Sequence, residues 1–426
     1  MLATVLGLLL AGTAMSSEHR SDCPDPQNGN GSNGQHDWLV WGGPHRDFIT
    51  PFTGLASSWP STGPRKLWSR PLGDGYSAIA VEGQTLYVAF RRGSRDIVSA
   101  LDARTGKSIW EYGYEAPFVN AYSDGVGPGP YSMPQVIGSR IVTASGIGKI
   151  NSIDKATGRL VWSHDLYVEF RGTRLEFGYS CHALPYKDYL ILLAGGHGSA
   201  ALALRQSDGA VVWKGLDFQN AHSSPILIDV DGQKQVVALL ASDVIGMNPD
   251  DGTLLWKHSH PTENGLAIST PVWAPGNLLF VSSAYHGGSR VLELHQSGGK
   301  TTVTERWHNP RLQLHFGTAI RLGDYVYFSS GHGGPVFLSC VNVRTGEVAW
   351  QERGFSKAQL LAADGKLILI DEDGTLALID PTPKELRVLA KSSLLERISW
   401  TPPTLSGTTL YVRDRRNLMA LDLSGK

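Results

Sequence analysis

One eleven-residue pattern recurs along most of this 426-residue chain. It is first complete as Ala-Leu-Asp-Ala-Arg-Thr-Gly-Lys-Ser-Ile-Trp at residues 100–110, and later copies keep the Thr-Gly pair or replace it with Asp-Gly. In each complete copy a tryptophan follows four residues after the glycine. Complete copies end at Trp110, Trp162, Trp213, Trp256 and Trp350, and a looser copy ends at Trp307. These tryptophans are 52, 51, 43, 51 and 43 residues apart in turn, a period typical of propellers and solenoids.

Each copy predicts a β-hairpin. The residues before Asp102 and those leading into Trp110 favour strands, and Gly106 can adopt the positive φ that a tight turn requires. The tryptophan would lie on the outer strand and pack against the next repeat. The alternative, in which the indoles stack on a cofactor, fits one tryptophan at a fixed strand position less well. The tryptophans predicted to pack between blades are Trp68, Trp110, Trp162, Trp213, Trp256, Trp307 and Trp350.

The composition predicts an all-β protein. The chain has 49 glycines, 23 prolines, 41% hydrophobic residues and no long stretch with helical periodicity. Its net charge of −1 creates no overall field toward nucleic acid, so nucleic acid is not expected as a partner. The three cysteines, Cys23, Cys181 and Cys340, form neither a Cys-x-x-Cys pair nor a disulfide framework.

The N-terminal residues predict export. Residues 1–15 resemble a signal peptide, because an apolar run too short to span a bilayer is followed by small residues. This run lacks a preceding Lys or Arg, so a mis-assigned start and a short uncleaved anchor stay open as alternatives. Residues 16–37 predict a disordered polar linker, and the tryptophan-rich residues 38–65 predict a strap packed on the body. The expected location is periplasmic or otherwise extracytoplasmic.

The two ends of the repeat region are complementary. The chain closes with a copy of the pattern, residues 418–426, that stops before its tryptophan strand, while Trp68 lies on an outer strand whose first part is missing. Pairing of these ends would close a ring and leave no open edge at the junction. Counting outer strands, including one without tryptophan at residues 387–389, predicts an eight-bladed β-propeller over residues 66–426.

The repeat resembles a known family. The pattern Ala-x-Asp-x-x-Thr-Gly-x-x-x-Trp, over residues 66–426, is similar to the tryptophan-docking repeat of the quinoprotein-type (PQQ-like, BamB-like) β-propeller family. The Ser-x-Pro openings of inner strands, also typical of that family, occur at residues 132–134, 223–225 and 269–271. The strap, with Trp-Gly-Gly-Pro at residues 41–44, is similar to the N-terminal segment of soluble exported members.

This resemblance implies two alternative functions. A quinoprotein dehydrogenase would oxidise an alcohol or sugar with pyrroloquinoline quinone and Ca²⁺, beside a carboxylate base. The chain has no vicinal cysteines, lacks the large insertions of those enzymes and offers no identifiable calcium ligand set. A binding or scaffold module is therefore favoured, with no cofactor expected. We expect a monomer that does not span a membrane after signal cleavage and that binds a protein partner or small ligand on its loop face.

Histidines and arginines define the candidate binding face. If the first strand of each blade lines the channel, the loops before first strands and the loops between second and third strands open on one face. Histidines in these loops either cap loop carbonyls or bind a metal or an anionic ligand at the channel mouth. The candidate residues are His182, His197, His222, His286, His315 and His332, with Arg91, Arg92 and Arg415 adding charge.

Overall fold

Each repeat forms one blade, a four-stranded antiparallel sheet, in the computed structural model, which describes residues 37–118, 125 and 127–425. The expected signal peptide, and the expected linker apart from its last residue, lie outside the described residues. Eight blades form a ring, and the prediction of an all-β eight-bladed propeller is confirmed. The innermost strand of each blade is the first in sequence, so the first strands line the central channel.

Two strands precede the first blade, namely β1 (Ile49–Thr50) and β2 (Arg65–Pro71). The strands of blades 1 to 4, from the innermost to the outermost, are β3 (Ala80–Glu82), β4 (Thr85–Arg92), β5 (Arg95–Asp102) and β6 (Ser108–Glu115); β7 (Gln135–Ile137), β8 (Arg140–Ala144), β9 (Lys149–Asp154) and β10 (Leu160–Asp165); β11 (Leu184–Tyr186), β12 (Tyr189–Leu193), β13 (Ala201–Arg205) and β14 (Val211–Gly215); and β15 (Ile226–Val230), β16 (Gln233–Leu239), β17 (Asp243–Met247) and β18 (Leu254–Ser259).

The strands of blades 5 to 8, in the same order, are β19 (Val272–Ala274), β20 (Leu278–Ser283), β21 (Gly288–Ser297) and β22 (Lys300–Asn309); β23 (Ile320–Leu322), β24 (Tyr325–Ser330), β25 (Phe337–Asn342) and β26 (Val348–Glu352); β27 (Ala358–Ala363), β28 (Lys366–Asp371), β29 (Thr375–Asp380) and β30 (Arg387–Ser393); and β31 (Thr404–Ser406), β32 (Thr409–Arg413) and β33 (Asn417–Asp422), with β2 as the outermost strand of blade 8.

Helical structure is minor in the described chain. A single-turn helix α1 (Leu166–Glu169) follows β10, and the side chain of Asp165 caps it by accepting from the Tyr167 and Val168 amides. A 3₁₀ turn spans Glu263–Gly265. No helix among the described residues is long and apolar enough to cross a lipid bilayer.

Pairing of the chain ends closes the ring, as the sequence predicts. β2 pairs with β33 in antiparallel register, from Arg65 opposite Asp422 to Pro71 opposite Asn417. This pairing joins residues more than 300 positions apart in sequence and completes blade 8. The exposed edge that an unpaired β33 would present to other chains is thereby covered.

A β-bulge precedes the tryptophan position in the outer strand of every blade. In blade 1, Trp110 pairs with Ala100 and Ser108 pairs with Leu101, so Ile109 between them has no partner on β5. The same register shift occurs in the other seven blades, at residues 67, 161, 212, 255, 306, 349 and 389. A bulge re-aims the side chains on either side of it. The tryptophan therefore turns toward the next blade, while Ile109 projects outward, 57% exposed.

Six of the seven redirected indoles lie against the hairpin turn of the next blade. Trp110 donates from Nε1 to the Lys155 carbonyl at 3.0 Å, and a Cβ on Gly158 would lie 2.8 Å from its ring. The glycine of the turn, at φ 70°, is thus required both for its backbone conformation and for the close approach of the ring. Five further tryptophans donate to a carbonyl of the next blade's turn in the same way: Trp68, Trp162, Trp213, Trp307 and Trp350.

Blade 4 departs from this arrangement. Trp256 donates instead to the Gln235 side chain of its own blade at 2.7 Å. The reason is that β21 and β22 of blade 5 are ten residues long and meet in the turn Ser297–Lys300, without the Asp-x-x-Thr-Gly turn that receives an indole elsewhere. In compensation, Gly246 of β17 leaves room for the Trp256 ring, since a Cβ there would lie 2.0 Å from Nε1.

The strap, residues 38–64, lies inside the ring and not only on its surface. Trp38 exchanges two backbone hydrogen bonds with Val81 of β3, and β1 adds to the inner edge of blade 7 in parallel with β27. Leu39 accepts from the Val136 amide of β7. Since β3, β7 and β27 are innermost strands, the strap occupies the central channel. Its buried Trp38 and Phe48 join the largest apolar core cluster.

Removal of β33 tests the closure. A chain ending at Arg416 leaves β2 and β32 without their shared neighbour, so we expect a lower melting temperature and loss of a single cooperative transition in calorimetry. A chain ending at Ser424 keeps β33 and should melt like the full chain. Equal melting of the shorter chain and the full chain would contradict the closure.

Replacement of Trp162 tests the contact between blades. This residue is 8% exposed, so Trp162→Ala should lower the free energy of unfolding by about 3–5 kcal/mol. Trp162→Phe keeps most of the ring and should lose about 1 kcal/mol with the hydrogen bond to Gln206. Val161→Ala, at the exposed bulge, is the matched control and should change stability by less than about 0.5 kcal/mol in denaturant titrations.

Candidate functional site: the loop face at the channel mouth

The disc has two different faces. The loops before first strands and those joining second to third strands open on one side, here called the loop face, and the tight turns of the other two connections form the opposite turn face. All six candidate histidines stand in loop-face connections. The structure does not bring them together as a single cluster. Four of the histidines form two groups of two, and each of the other two is paired with a carboxylate at the surface.

His182 is buried between the strap and blade 4. Its ring stacks on Trp41 with centroids 4.0 Å apart and planes within 11°. The Met133 amide donates to Nε2 at 2.8 Å, so in the neutral ring the proton resides on Nδ1, which lies 2.8 Å from Ser224 Oγ. Burial lowers the pKa of His182 to about 3. Both ring nitrogens are engaged, and His182 therefore fixes the strap.

His222 lies close to this group in the next blade. Its Nδ1 is 3.1 Å from Ser180 Oγ, and Phe177 contacts the ring edge-on. Burial lowers the pKa of His222 to about 4, opposed by a backbone hydrogen bond at Gly178. His222 is thus a neutral imidazole within a blade seam.

His315 and His332 form the second group, between blades 5 and 6. His315 Nε2 lies 2.8 Å from the Tyr285 hydroxyl, and the two histidine rings are 4.8 Å apart. Burial, and then the positive charge of Lys357, lower the pKa of His315 to about 3, and the same causes lower the pKa of His332. Nδ1 of His315 has no hydrogen-bond partner among the described residues.

The other two histidines are surface residues paired with carboxylates. His197 Nδ1 lies 2.6 Å from Asp217, and His286 Nε2 lies 3.3 Å from Glu263. Both imidazoles are largely exposed, at 94% and 83%. Neither converges on the buried groups.

The candidate arginines are engaged within the protein. Arg91 is buried and binds the Asp96 carboxylate at 2.7 Å as well as the Ala116 carbonyl. Arg92 is exposed and lies 3.3 Å from Glu111 on the outer strand of its own blade. Arg91 therefore supports the loop after β6, and Arg92 points away from the channel.

A connected series of aromatic rings, here called the mouth arc, surrounds half of the channel mouth. Its centroid separations run from 4.1 to 6.0 Å, and its members come from loops of blades 2, 1, 8, 6 and 5. All members except the buried Tyr76 are half-buried or exposed. The members are Tyr131, Tyr76, Trp400, Phe316, His315, Tyr285 and His332.

Side chains of blade 7 hold the centre of the mouth arc. Gln359 of β27 donates from Nε2 to the carbonyls of Phe316 and Trp400, whose rings are 4.8 Å apart. The buried carboxylate of Glu372 accepts from Trp400 Nε1 at 2.7 Å. Lys357 lies 5.6 Å from the centre of the Phe316 ring. The arc is therefore rigidly supported from beneath.

The strap closes the channel beside the mouth arc. The backbone amide of Trp41 donates to Gln135 Oε1 of blade 2 at 3.1 Å. The indole Nε1 of Trp41 donates to Thr270 Oγ1 of blade 5 at 3.0 Å. Trp41 thus crosses the channel from one side to the other. The turn that follows it leaves Pro44 and His45 exposed.

The carboxylates at the mouth do not fit a calcium-bound quinone. Arg415 binds Asp74 through two hydrogen bonds, and Arg397 lies 3.2 Å from Glu372, whose second oxygen is held by Trp400. These acids are already neutralised by arginine, and a cation would have to displace an existing partner.

The two described cysteines lie apart from each other. Cys181 and Cys340 lie buried in different blades, and Cys23 lies outside the described residues. Among the described residues, no group of three or more His, Cys, Asp or Glu side chains is arranged to hold a metal ion.

These blades define a class. An eight-bladed ring in which most outer-strand indoles lie against the next blade's hairpin turn is a β-propeller of the PQQ-repeat type. The chain belongs to the family described as outer membrane protein assembly factor BamB, whose model matches the overlapping segments 54–169, 94–309 and 286–388.

Solved structures share the fold. BamB from Moraxella catarrhalis is 19% identical with a TM-score of 0.59, and the match covers 84% of this chain and 100% of that one. Quinohemoprotein alcohol dehydrogenase from Comamonas testosteroni is 12% identical with a TM-score of 0.64, covering 92% and 81%. The computationally designed protein Ika8 is 12% identical with a TM-score of 0.56, covering 87% and 100%. No curated protein sequence matches the chain. At these identities the likeness shows the fold alone.

The buried histidines predict acid sensitivity. The pKa of His182 is about 3 in the fold, against 6.5 for an unperturbed histidine, so below pH 6.5 the unfolded chain binds more protons and stability falls with falling pH. At pH 5 this one group should lower the free energy of unfolding by about 2 kcal/mol relative to pH 7.5. NMR should show His182 neutral at pH 5. A protonated His182 in the folded protein at that pH would contradict the assignment.

Proposed function

We propose that this protein is an extracytoplasmic binding module that holds a protein partner on its loop face, around the channel mouth. The mouth arc carries this proposal. Aromatic side chains whose rings are partly exposed and held in place contribute most of the binding energy in many protein interfaces. The arc presents five such rings in continuous contact on one face, and a sixth, Tyr131, is linked to them through the buried Tyr76.

Rigid support favours recognition without rearrangement. The amide of Gln359 ties together the loops that carry Phe316 and Trp400, and Glu372 fixes the indole. Ordering these side chains before binding reduces the conformational entropy lost when a partner docks. The arc therefore has the properties of a preformed contact surface.

The occupied channel determines how a partner binds. Trp41 bridges blades 2 and 5 across the channel, and β1 is paired with blade 7 below it. A ligand would rest on the loop face and would not enter the ring deeply. A surface of this shape suits another protein better than a small molecule, which usually binds in an enclosed pocket.

The family supports the same class of function. Its description names an assembly factor for outer membrane proteins, which acts on other proteins. Together with the apolar residues 2–14, this supports a location outside the cytoplasm and a role as a monomeric scaffold. The dehydrogenase alternative receives no support from the mouth, where arginines occupy the carboxylates.

Site-specific photocrosslinking tests the proposal. A benzoylphenylalanine in place of exposed His332 should form a protease-sensitive adduct in cells of the source organism, whereas the same residue in place of exposed Thr345 on the turn face should not. Phe316→Ala should abolish the His332 adduct. Equal adducts at both positions, or an adduct unaffected by Phe316→Ala, would contradict a partner on the mouth arc.

Affinity measurements with the captured partner give the contribution of single side chains to binding. Trp400→Ala should weaken affinity by about 2 kcal/mol, roughly 30-fold, if the indole is a central contact. Trp400→Phe keeps a ring there and should retain most of the affinity. Val388→Ala, exposed on the outer strand of blade 7, is the matched control. Dye-linked dehydrogenase activity after addition of the quinone and Ca²⁺ would instead favour the enzymatic alternative.

A further inference from the structure

The bulged outer strands leave aliphatic side chains exposed at the rim of the turn face. Leu67 and Ile109 occupy the bulge positions of blades 8 and 1, and Leu160 begins the outer strand of blade 2. Their exposed fractions are 42%, 57% and 44%. This feature is separate from the loop face.

Basic side chains flank these aliphatic residues. Four exposed cations form no ion pair with the described residues, whereas nearby Lys155 binds Glu82 at 2.7 Å. The carboxylate of Asp102 accepts hydrogen bonds from the backbone amide and the hydroxyl of Thr105 within its own turn. The four unpaired cations are Lys66, Arg104, Lys107 and Arg159.

The contacts of the indoles place these residues side by side. The Trp68 ring lies under Gly106, so Leu67 is next to the turn that carries Arg104 and Lys107. The Trp110 ring lies under Gly158 in the same way and brings Ile109 next to Arg159. A continuous rim across blades 8, 1 and 2 results, here called the basic edge. Its members are Lys66, Leu67, Arg104, Lys107, Ile109, Arg159 and Leu160.

The corresponding turns of blades 3 and 4 carry acids that are paired with basic side chains: Asp208 binds Arg205 at 2.9 Å, and Asp250 binds Lys187. Val212 is the exposed bulge residue of blade 3, and Trp213 rests on Gly252 of the turn that carries Asp250 and Asp251. The repeat geometry is therefore shared by both rims, while the unpaired cations named above lie on only one of them. The net charge of −1 conceals this asymmetry.

We propose that the basic edge docks the protein on an anionic lipid membrane. Exposed aliphatic side chains can enter the boundary between headgroups and acyl chains, and adjacent Lys and Arg attract anionic headgroups. The residues are spread over the rims of three neighbouring blades, so the complementary ligand is an extended surface. Its unpaired cations distinguish this rim from the corresponding rim of blades 3 and 4, which exposes aliphatic side chains to a similar extent.

Vesicle co-sedimentation with the full chain tests the inference. The protein should bind vesicles of mixed phosphatidylcholine and phosphatidylglycerol, bind pure phosphatidylcholine vesicles far more weakly, and dissociate as salt is raised. The variant Arg104→Gln/Lys107→Gln/Arg159→Gln should lose about fivefold in partition coefficient for each cation, roughly 100-fold in all. Leu67→Ser/Ile109→Ser/Leu160→Ser should lose about tenfold or more at unchanged charge.

The corresponding rim of blades 3 and 4 supplies the matched control. Val211→Ser/Val212→Ser/Leu254→Ser removes three aliphatic side chains of similar exposure, 44%, 44% and 39%, and should leave vesicle binding unchanged. Circular dichroism melting verifies that each variant is folded. Absence of binding by the wild-type chain would overturn the proposal, as would equal binding by the cation-depleted variant. An equal loss in the control would also overturn it.

Discussion

Contact between an indole ring and the glycine of the next hairpin turn determines the architecture. A four-stranded sheet with two apolar faces has little stability alone and gains it from its neighbours. Here the Trp110 ring fills the space that a Cβ on Gly158 would occupy, and Trp68 does the same over Gly106. In blade 1, for example, the turn glycine Gly106 contacts the preceding blade, and the tryptophan Trp110 contacts the following blade. The pattern recurs because most blades receive one ring and most supply another, the exceptions including blade 5, whose turn receives none, and blade 7, which has no tryptophan at this position.

The bulge before each tryptophan links this packing to the outer surface. Turning the indole inward requires the preceding residue to leave the ladder, and Ile109 becomes exposed as a consequence. The identity of that residue is then free of packing constraints within its own blade. Local charge in the neighbouring turn can vary in the same way, since Arg104 and Asp251 stand in turns of the same geometry. One structural requirement therefore produces a rim whose chemistry differs from blade to blade.

The sequence predicted those features of the fold that follow from the regular spacing of the repeats. Blade number and closure through Trp68 follow from spacing, and both are confirmed. The mouth arc could not be predicted in this way, because its rings come from non-repeated loops of five blades and meet only after closure. The insertion of Trp41 into the channel could not be predicted from the sequence either, since its hydrogen-bond partners Gln135 and Thr270 are distant in sequence. The bulges could have been inferred from one feature of the sequence. Several of the tryptophans directly follow an aliphatic residue, and strand periodicity alone does not explain this pair.

Occupation of the channel follows from the size of the ring. Eight blades around one axis enclose a central space that the side chains of short innermost strands do not fill, as in large barrels. The strap supplies the missing apolar groups, with Trp38 at 2% and Phe48 at 5% exposure. It enters and leaves toward the turn face, where Asp37 binds the Gly83 amide and the Ala56 amide donates to Leu423. Among the described residues, no segment crosses the loop face above Trp41, where the mouth arc presents its rings.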